Sequence, residues 1–183
     1  MTSNTWNIDS THSTVGFSIR HMVFSKVRGR FLKYTGALQL DDADPGKSWV
    51  EVTIDAASID TGTAQRDTHL RSADFFDVET YPDLRFRSTR VEDVGDGRLR
   101  VVGELTIRDT TREIVLDAEP AGRGMDPWGN ERIGFVARTS IDRKDFGLQW
   151  NQLLEAGGVL VGDRVDIELD VQAVNTAARE SAA

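Results

Sequence analysis

Residues 164–173 read Arg-Val-Asp-Ile-Glu-Leu-Asp-Val-Gln-Ala, and this stretch decides the fold. Its apolar residues occupy every second position, and charged or polar residues occupy the positions between them. Successive side chains of a β-strand point to opposite faces, so the pattern predicts a strand with one buried face and one solvated face.

The same alternation recurs along the chain. Residues 50–56, 98–108 and 132–142 show it clearly. Shorter or less regular strands are predicted at residues 6–9, 14–21, 29–40, 84–91 and 114–119. Turn-forming residues separate these segments, and residues 122–129 form a longer loop rich in glycine. The sequence therefore predicts about eight strands connected by short turns.

Residues 63–78 do not follow the strand pattern. The first of them is a threonine that can cap a short helix, on which Asp67 and Arg71 would form an i,i+4 ion pair. A second turn would then present Phe75 and Phe76. We interpret this segment, called the plug below, as a short helical insertion between strands.

These elements predict an all-β chain with one antiparallel eight-stranded barrel. A barrel is favoured over a sandwich because the strands show few of the prolines and inward charges that protect open sheet edges. A barrel of eight strands can hold one small ligand or be filled by its own side chains. The alternation alone favours the packed core. Residues 175–183 are small and polar and predict a flexible C-terminal tail.

Composition limits the possible partners and locations. The chain has 22 basic and 30 acidic residues, a formal charge of −8, which disfavours nucleic acid and anionic membrane surfaces as partners. It has no cysteine, so it has neither disulfides nor thiolate metal sites. No apolar run is long enough to span a membrane, and residues 1–6 do not resemble a secretion signal. A cytoplasmic location is therefore expected, unless a signal has been removed.

Several sequence blocks, taken in order, carry a family resemblance that extends over nearly the whole chain. They are Trp6-x-Ile8-Asp9-x-x-His12-Ser13-x-Val15-x-Phe17, Val27-x-Gly29-x-Phe31, Arg66-Asp67-x-His69-Leu70-x-Ser72-x-Asp74-Phe75-Phe76-Asp77, Tyr81-Pro82-x-Leu84-x-Phe86-x-Ser88, Gly103-x-Leu105-Thr106-Ile107 and Arg143-x-Asp145-Phe146-Gly147-Leu148. The sequence resembles the YceI-like family of lipocalin-like, polyisoprenoid-binding proteins.

The resemblance implies a lipocalin-like barrel over residues 6–174 that binds a long isoprenoid or other lipid-like ligand in its interior. It implies no catalytic residues and no cofactor, and a homodimer is possible because relatives are often dimers. The apolar positions that match the interior of the family would line the cavity. They are Val15, Phe17, Phe24, Phe31, Phe75, Phe76, Phe86, Phe135, Leu148 and Trp150.

Polar residues near the plug are candidates for binding a head group. Arg66 and His69 lie on the plug and His21 lies at a strand end, so a polar or anionic head group could contact them. The structural alternative is that Arg66 and Asp67 tie the plug to the barrel wall through hydrogen bonds.

Two other classes of function remain as alternatives. Asp67 with His69, or His12 with Ser13, could supply a general base and a nucleophile for an enzyme, although no established catalytic motif is present. The three histidines have no metal-ligand spacing, so no metal site is predicted. A barrel with a packed core that acts through protein partners is the third possibility.

Overall fold

The computed structural model describes residues 4–155 and 157–175, which form a single sheet of antiparallel strands and one short helix. The strands are β1 (Thr5–Ile8), β2 (Thr14–His21), β3 (Ser25–Phe31), β4 (Tyr34–Gln39), β5 (Trp49–Asp55), β6 (Ile59–Asp60), β7 (Asp83–Gly95), β8 (Arg98–Ile107), β9 (Thr110–Met125), β10 (Glu131–Asp142) and β11 (Val161–Asn175). The helix α1 is Ala64–Arg71, and short 3-10 turns lie at Pro45–Lys47, Ala56–Ser58 and Arg143–Phe146.

The sheet closes on itself through β1. This strand pairs with β4 on one side and with β11 on the other, which gives the ring β1-β4-β5-β7-β8-β9-β10-β11. Within the described residues the ring has eight strands, and β2, β3 and β6 extend it at one end. The predicted antiparallel eight-stranded barrel is therefore confirmed.

The first strands along the chain are bent, and this explains why they read less regularly in the sequence. β1 and β2 lie end to end along β11, with a bend between Ile8 and Thr14. The single strand predicted at residues 29–40 is in fact β3 and β4. The break occurs where the backbone N–H groups of Leu32 and Lys33 donate to the Ser58 hydroxyl at 3.1 and 3.0 Å.

Inside and outside alternate as predicted along β8. Val101, Leu105 and Ile107 are buried, whereas Arg100 and Glu104 are exposed. The C-terminal part of β9 was predicted wrongly: the strand continues to Met125, and the loop before β10 begins one residue later.

The plug contains the predicted helix but not the predicted contacts. Thr63 makes no capping hydrogen bond with its side chain. The expected Asp67–Arg71 pair is also wrong, because Asp67 accepts hydrogen bonds from Thr61 while Arg71 donates to the carbonyls of Ala57 and Ile59. Both side chains thus join the plug to the preceding strand region instead of to each other.

In the part of the chain that is described, no helix has the length and apolar character needed to cross a membrane. β11 ends at Asn175. The tail predicted beyond that residue lies outside the described residues.

Candidate functional site

The interior of the barrel contains a cavity of about 400 Å³. Every one of the eleven strands contributes side chains to its wall, and most of these are aliphatic or aromatic. The volume falls within the range of small-molecule pockets, roughly 300–1,000 Å³. Of the two alternatives that the alternation left open, the structure contains the hollow barrel.

The hollow is asymmetric within the barrel. Inward-facing residues of β7 and β8, such as Leu84, Phe86 and Leu105, are buried. Their counterparts on β2 and β11, including Phe17 and Ile167, are only half-buried, although they also point inward. The exposed part of these side chains faces the cavity, so β2 and β11 form the wall that an apolar ligand would contact most extensively.

All but one of the predicted cavity residues lie in the cavity wall. They are Val15, Phe17, Phe31, Phe75, Phe76, Phe86, Phe135, Leu148 and Trp150.

Phe24 is the exception, and its predicted position in the cavity was wrong. Its side chain is 87% exposed and does not contribute to the cavity wall. Phe24 lies in the three-residue turn between His21 and Ser25, where Met22 and Val23 adopt positive φ. The family resemblance placed Phe24 in the interior, but the residue lies in a turn, outside the strands whose alternation directs side chains inward.

An aromatic cluster closes one end of the barrel, where the plug lies. This end is called the plug end below. The Phe76 ring meets the Phe31 ring edge-to-face, with 5.9 Å between centroids. The His69 ring stands edge-on to Trp150 at 4.7 Å and to Phe75 at 5.1 Å. Such ring arrangements are favourable beyond the area that they bury. The cluster therefore positions the plug over the cavity while leaving its rings in the cavity wall.

The three predicted head-group residues all reach the cavity wall. Arg66 donates from Nε to the Thr61 hydroxyl at 2.7 Å and from Nη2 to the Thr61 carbonyl at 2.8 Å. His69 Nε2 lies 2.8 Å from Asp74 Oδ2. His21 pairs with Val161 at the start of β11. Part of Arg66 thus serves the structural role that the sequence left open, and the residue also faces the cavity.

Arg143 is a polar wall residue that the sequence analysis did not select as a candidate, although it begins one of the family-like blocks. It is 3% exposed and donates to the carbonyls of Gly162, Leu148 and Trp150 at 2.7–2.9 Å. Its Nη2 has no hydrogen-bond partner among the described residues and lies 3.7 Å from Asp163 Oδ1. Burial lowers the pKa of the guanidinium. Arg143 fixes the segment that carries Leu148 and Trp150 to the barrel wall.

The residue pairs considered for catalysis do not form a nucleophile–base arrangement. Asp67 Oδ1 accepts hydrogen bonds from the backbone N–H and the hydroxyl of Thr61, at 2.9 and 2.5 Å, and His69 pairs with Asp74. His12 Nδ1 lies 2.8 Å from Asp9, while the Ser13 hydroxyl donates to the Gln172 carbonyl and accepts from the Gln172 N–H. His12 and Ser13 thus fix the bend between β1 and β2.

A second polar cluster joins this bend to the β9–β10 loop. Arg132 donates to Asp9 at 2.7 Å and to Asp126 at 2.8 Å. Burial alone would raise the pKa of Asp126, but hydrogen bonds from Asn130, Arg132 and the Trp128 backbone outweigh it and hold the pKa well below its usual range. Asp9 shows the same balance, with burial outweighed by hydrogen bonds from Thr11, Arg132 and His12. This cluster lies outside the cavity and has a structural role.

Comparison with known proteins gives matches over almost the whole chain. The model of a family described as YceI-like domain matches residues 6–173. A UPF0312 protein of Vibrio cholerae is 41% identical over 163 residues, which are 89% of this chain and 82% of the relative.

Two solved structures have the same fold. The Burkholderia cenocepacia protein BcnA superposes with a TM-score of 0.80 at 24% identity, over 90% of this chain and 98% of that chain. A polyisoprenoid binding domain from Saccharophagus degradans superposes with a TM-score of 0.67 at 16% identity, over 94% of this chain and 99% of that chain.

Proposed function

The chain belongs to the YceI-like family, and from this premise we propose that its barrel binds one long apolar molecule, a polyisoprenoid or similar lipid-like compound, for carriage, storage or sequestration. The observation that carries the proposal is the cavity of about 400 Å³ with an apolar wall. Burial of a hydrocarbon chain contributes about 0.8 kcal/mol per CH₂, partly offset by the cost of ordering the ligand. The polyisoprenoid binding domain of the same fold supports this class of ligand.

The polar end of the ligand would lie at the plug end, against Arg66, His69 and His21. These side chains are polar groups in a mostly apolar wall, and in apolar pockets a few polar groups orient the ligand. The guanidinium of Arg66 can donate a further hydrogen bond while it keeps its two bonds to Thr61, because it carries five N–H groups. An anionic or strongly polar head group suits this position.

Substitution of Phe76 by arginine tests whether the ligand occupies the cavity. Phe76→Arg would place a charge in the apolar wall, and the affinity for a fluorescent long-chain polyprenyl probe should fall at least tenfold. Val115→Arg is the matched control, since Val115 lies on the outer face of β9 and is 39% exposed. A folded Phe76→Arg protein that binds the probe like the wild type would contradict the proposed site.

A second experiment tests the head group. Arg66→Ala should weaken a polyprenyl phosphate more than the corresponding neutral polyprenol, because only the phosphate gains a charge-assisted hydrogen bond from the guanidinium. Circular dichroism of the variant checks that the plug remains folded without the bonds to Thr61. Equal weakening of both compounds would show that Arg66 has only a structural role.

A further inference from the structure

The turn between β2 and β3 exposes three consecutive apolar side chains. Met22, Val23 and Phe24 are 39%, 67% and 87% exposed. Met22 and Val23 adopt left-handed φ of 53° and 68°, which a β-branched residue rarely does. Asparagine and glycine adopt such angles far more readily. Neither backbone preference nor burial therefore accounts for the apolar residues at this turn.

A second exposed apolar pair lies beside the turn. The Met22 N–H donates to the Leu160 carbonyl at 2.9 Å, and the loop that ends at Leu160 contains Leu153 and Val159, which pair through an isolated bridge. Leu153 is 82% exposed and Val159 is 38% exposed. We call Met22, Val23, Phe24, Leu153 and Val159 the rim patch. It borders the cavity directly, since His21 and Leu160 belong to the cavity wall.

The strands that carry the turn are positively charged in an otherwise acidic protein. Residues 10–40 contain five lysine or arginine residues and no aspartate or glutamate, whereas the chain as a whole has 30 acidic residues. Arg20 pairs with Lys26 across the hairpin, and Arg28 lies two residues further along β3. Within the described part of the chain, none of these three side chains forms an ion pair, although the charge of Lys26 helps to lower the pKa of Asp166 on β11. Arg20 and Arg28 are thus available to an external anion.

Three acidic side chains on the adjoining strands form their ion pairs with cations other than Arg20, Lys26 and Arg28. Asp60 on β6 pairs with Arg30 at 3.6 Å. On β11, Asp163 lies 3.2 Å from Lys144, and Asp166 accepts from Arg164 and Ser140. The positive charge of the hairpin is thus concentrated next to the apolar tip. The net charge of −8 disfavoured an anionic membrane for the chain as a whole, but it is an average that conceals this local segregation.

We propose that the rim patch, together with Arg20, Lys26 and Arg28 of the β2–β3 hairpin, docks on the surface of an anionic lipid bilayer. An apolar tip that enters the interface, flanked by cations that contact anionic head groups, is the arrangement by which peripheral proteins bind such membranes. Docking would place the plug end of the cavity against the lipid. This inference does not depend on which molecule the cavity binds.

Co-sedimentation with vesicles tests the proposal. The full chain should bind vesicles of one part phosphatidylglycerol to two parts phosphatidylcholine, bind vesicles of phosphatidylcholine alone much more weakly, and dissociate as salt is raised. Lys26→Gln with Arg28→Gln should weaken binding to the anionic vesicles on the order of tenfold.

A paired substitution separates docking from folding. Met22→Asn with Val23→Gly removes two of the three apolar side chains of the turn and places residues that tolerate positive φ at both positions, so the hairpin should remain folded while vesicle binding becomes much weaker. Trp128→Asn is the matched control: Trp128 is 80% exposed in the β9–β10 loop, away from the hairpin, and its loss should leave binding unchanged.

Three results would overturn the proposal. In the first, the wild-type protein does not sediment with anionic vesicles. In the second, the Met22→Asn/Val23→Gly protein binds them as the wild type does. In the third, the wild type is a dimer that does not bind vesicles, and the double substitution converts it to a monomer. The last result would identify a second copy of the chain as the occupant of the patch.

Discussion

The end of the Phe17 ring lies directly over Gly29, its partner on the neighbouring strand. A Cβ atom added to Gly29 would come within 2.4 Å of Phe17 Cζ. The absence of a side chain at Gly29 allows the ring to lie across β3, where it also contacts Phe31 with 5.8 Å between centroids. Because the ring lies against β3, it does not project into the middle of the barrel, and the space left there is part of the cavity.

Gly29→Ala should therefore reduce ligand capacity more than it reduces stability. The obstructing atoms belong to the end of a flexible side chain, so the Phe17 ring can move away from β3, and the space available to it is the cavity. We expect severalfold weaker binding of a polyprenyl probe by a protein that remains folded. Gly124→Ala is the control, because a Cβ at Gly124 meets nothing within 4 Å. Unchanged probe binding by Gly29→Ala would show that this ring does not limit the cavity.

Gly103→Ala should instead destabilise the barrel. A Cβ at Gly103 would come within 2.5 Å of the Phe86 ring and 2.6 Å of the Arg87 carbonyl oxygen. The carbonyl is part of the β7–β8 ladder and cannot move freely. Overpacking of this kind costs about 1–3 kcal/mol, which urea unfolding would measure. A free energy of unfolding equal to that of the wild type would contradict the close packing of β7 on β8.

Asp67→Ala should loosen the plug. Asp67 is 7% exposed, and its removal leaves the N–H and the hydroxyl of Thr61 without their acceptor. An unsatisfied buried group costs about 1–3 kcal/mol, and because Thr61 is only half-buried we expect a loss of stability of about 1 kcal/mol, together with faster hydrogen exchange in α1. Gln65→Ala, at an exposed position of the same helix, should change stability by about 0.5 kcal/mol or less. An equal effect of both substitutions would contradict the role of Asp67.

The Asp126 carboxylate predicts a specific dependence of stability on pH. The pKa of Asp126 in the folded protein lies below that of an unfolded aspartate, about 3.9. The ionised carboxylate therefore contributes its full share of the folding stability above the unfolded pKa, and this share is lost as the pH falls toward the folded pKa. The stability difference between the wild type and Asp126→Asn should thus be constant above about pH 5 and narrow below about pH 4. Urea unfolding at each pH measures it. A difference that stays constant down to pH 3 would contradict the lowered pKa.

Strand alternation was sufficient to predict the barrel because each long strand has one buried and one solvated face. The alternation did not predict the segments in which the backbone leaves the hydrogen-bonded pairing between strands. The turn that carries Phe24 and the break at Leu32 and Lys33 depend on positive φ and on the Ser58 hydroxyl, which no two-residue period encodes.

The candidate site was predictable only in part. Alternation identifies which side chains point inward, but it does not determine whether they meet in the centre, and the family resemblance rather than the pattern implied the cavity. The contacts of Asp67 and Arg143 could not be predicted, because both bind backbone groups that the fold brings close. The Arg143-x-Asp145-Phe146-Gly147-Leu148 block was the one sequence signal that could have drawn attention to Arg143.

Mass spectrometry of an organic-solvent extract of the purified protein tests the central claim most directly. The account predicts about one long-chain apolar molecule per protein chain in the extract, and rebinding of an added polyprenol by the extracted and refolded protein. An extract without such a molecule, from a protein that also fails to take up added polyprenol, would contradict a lipid-binding barrel.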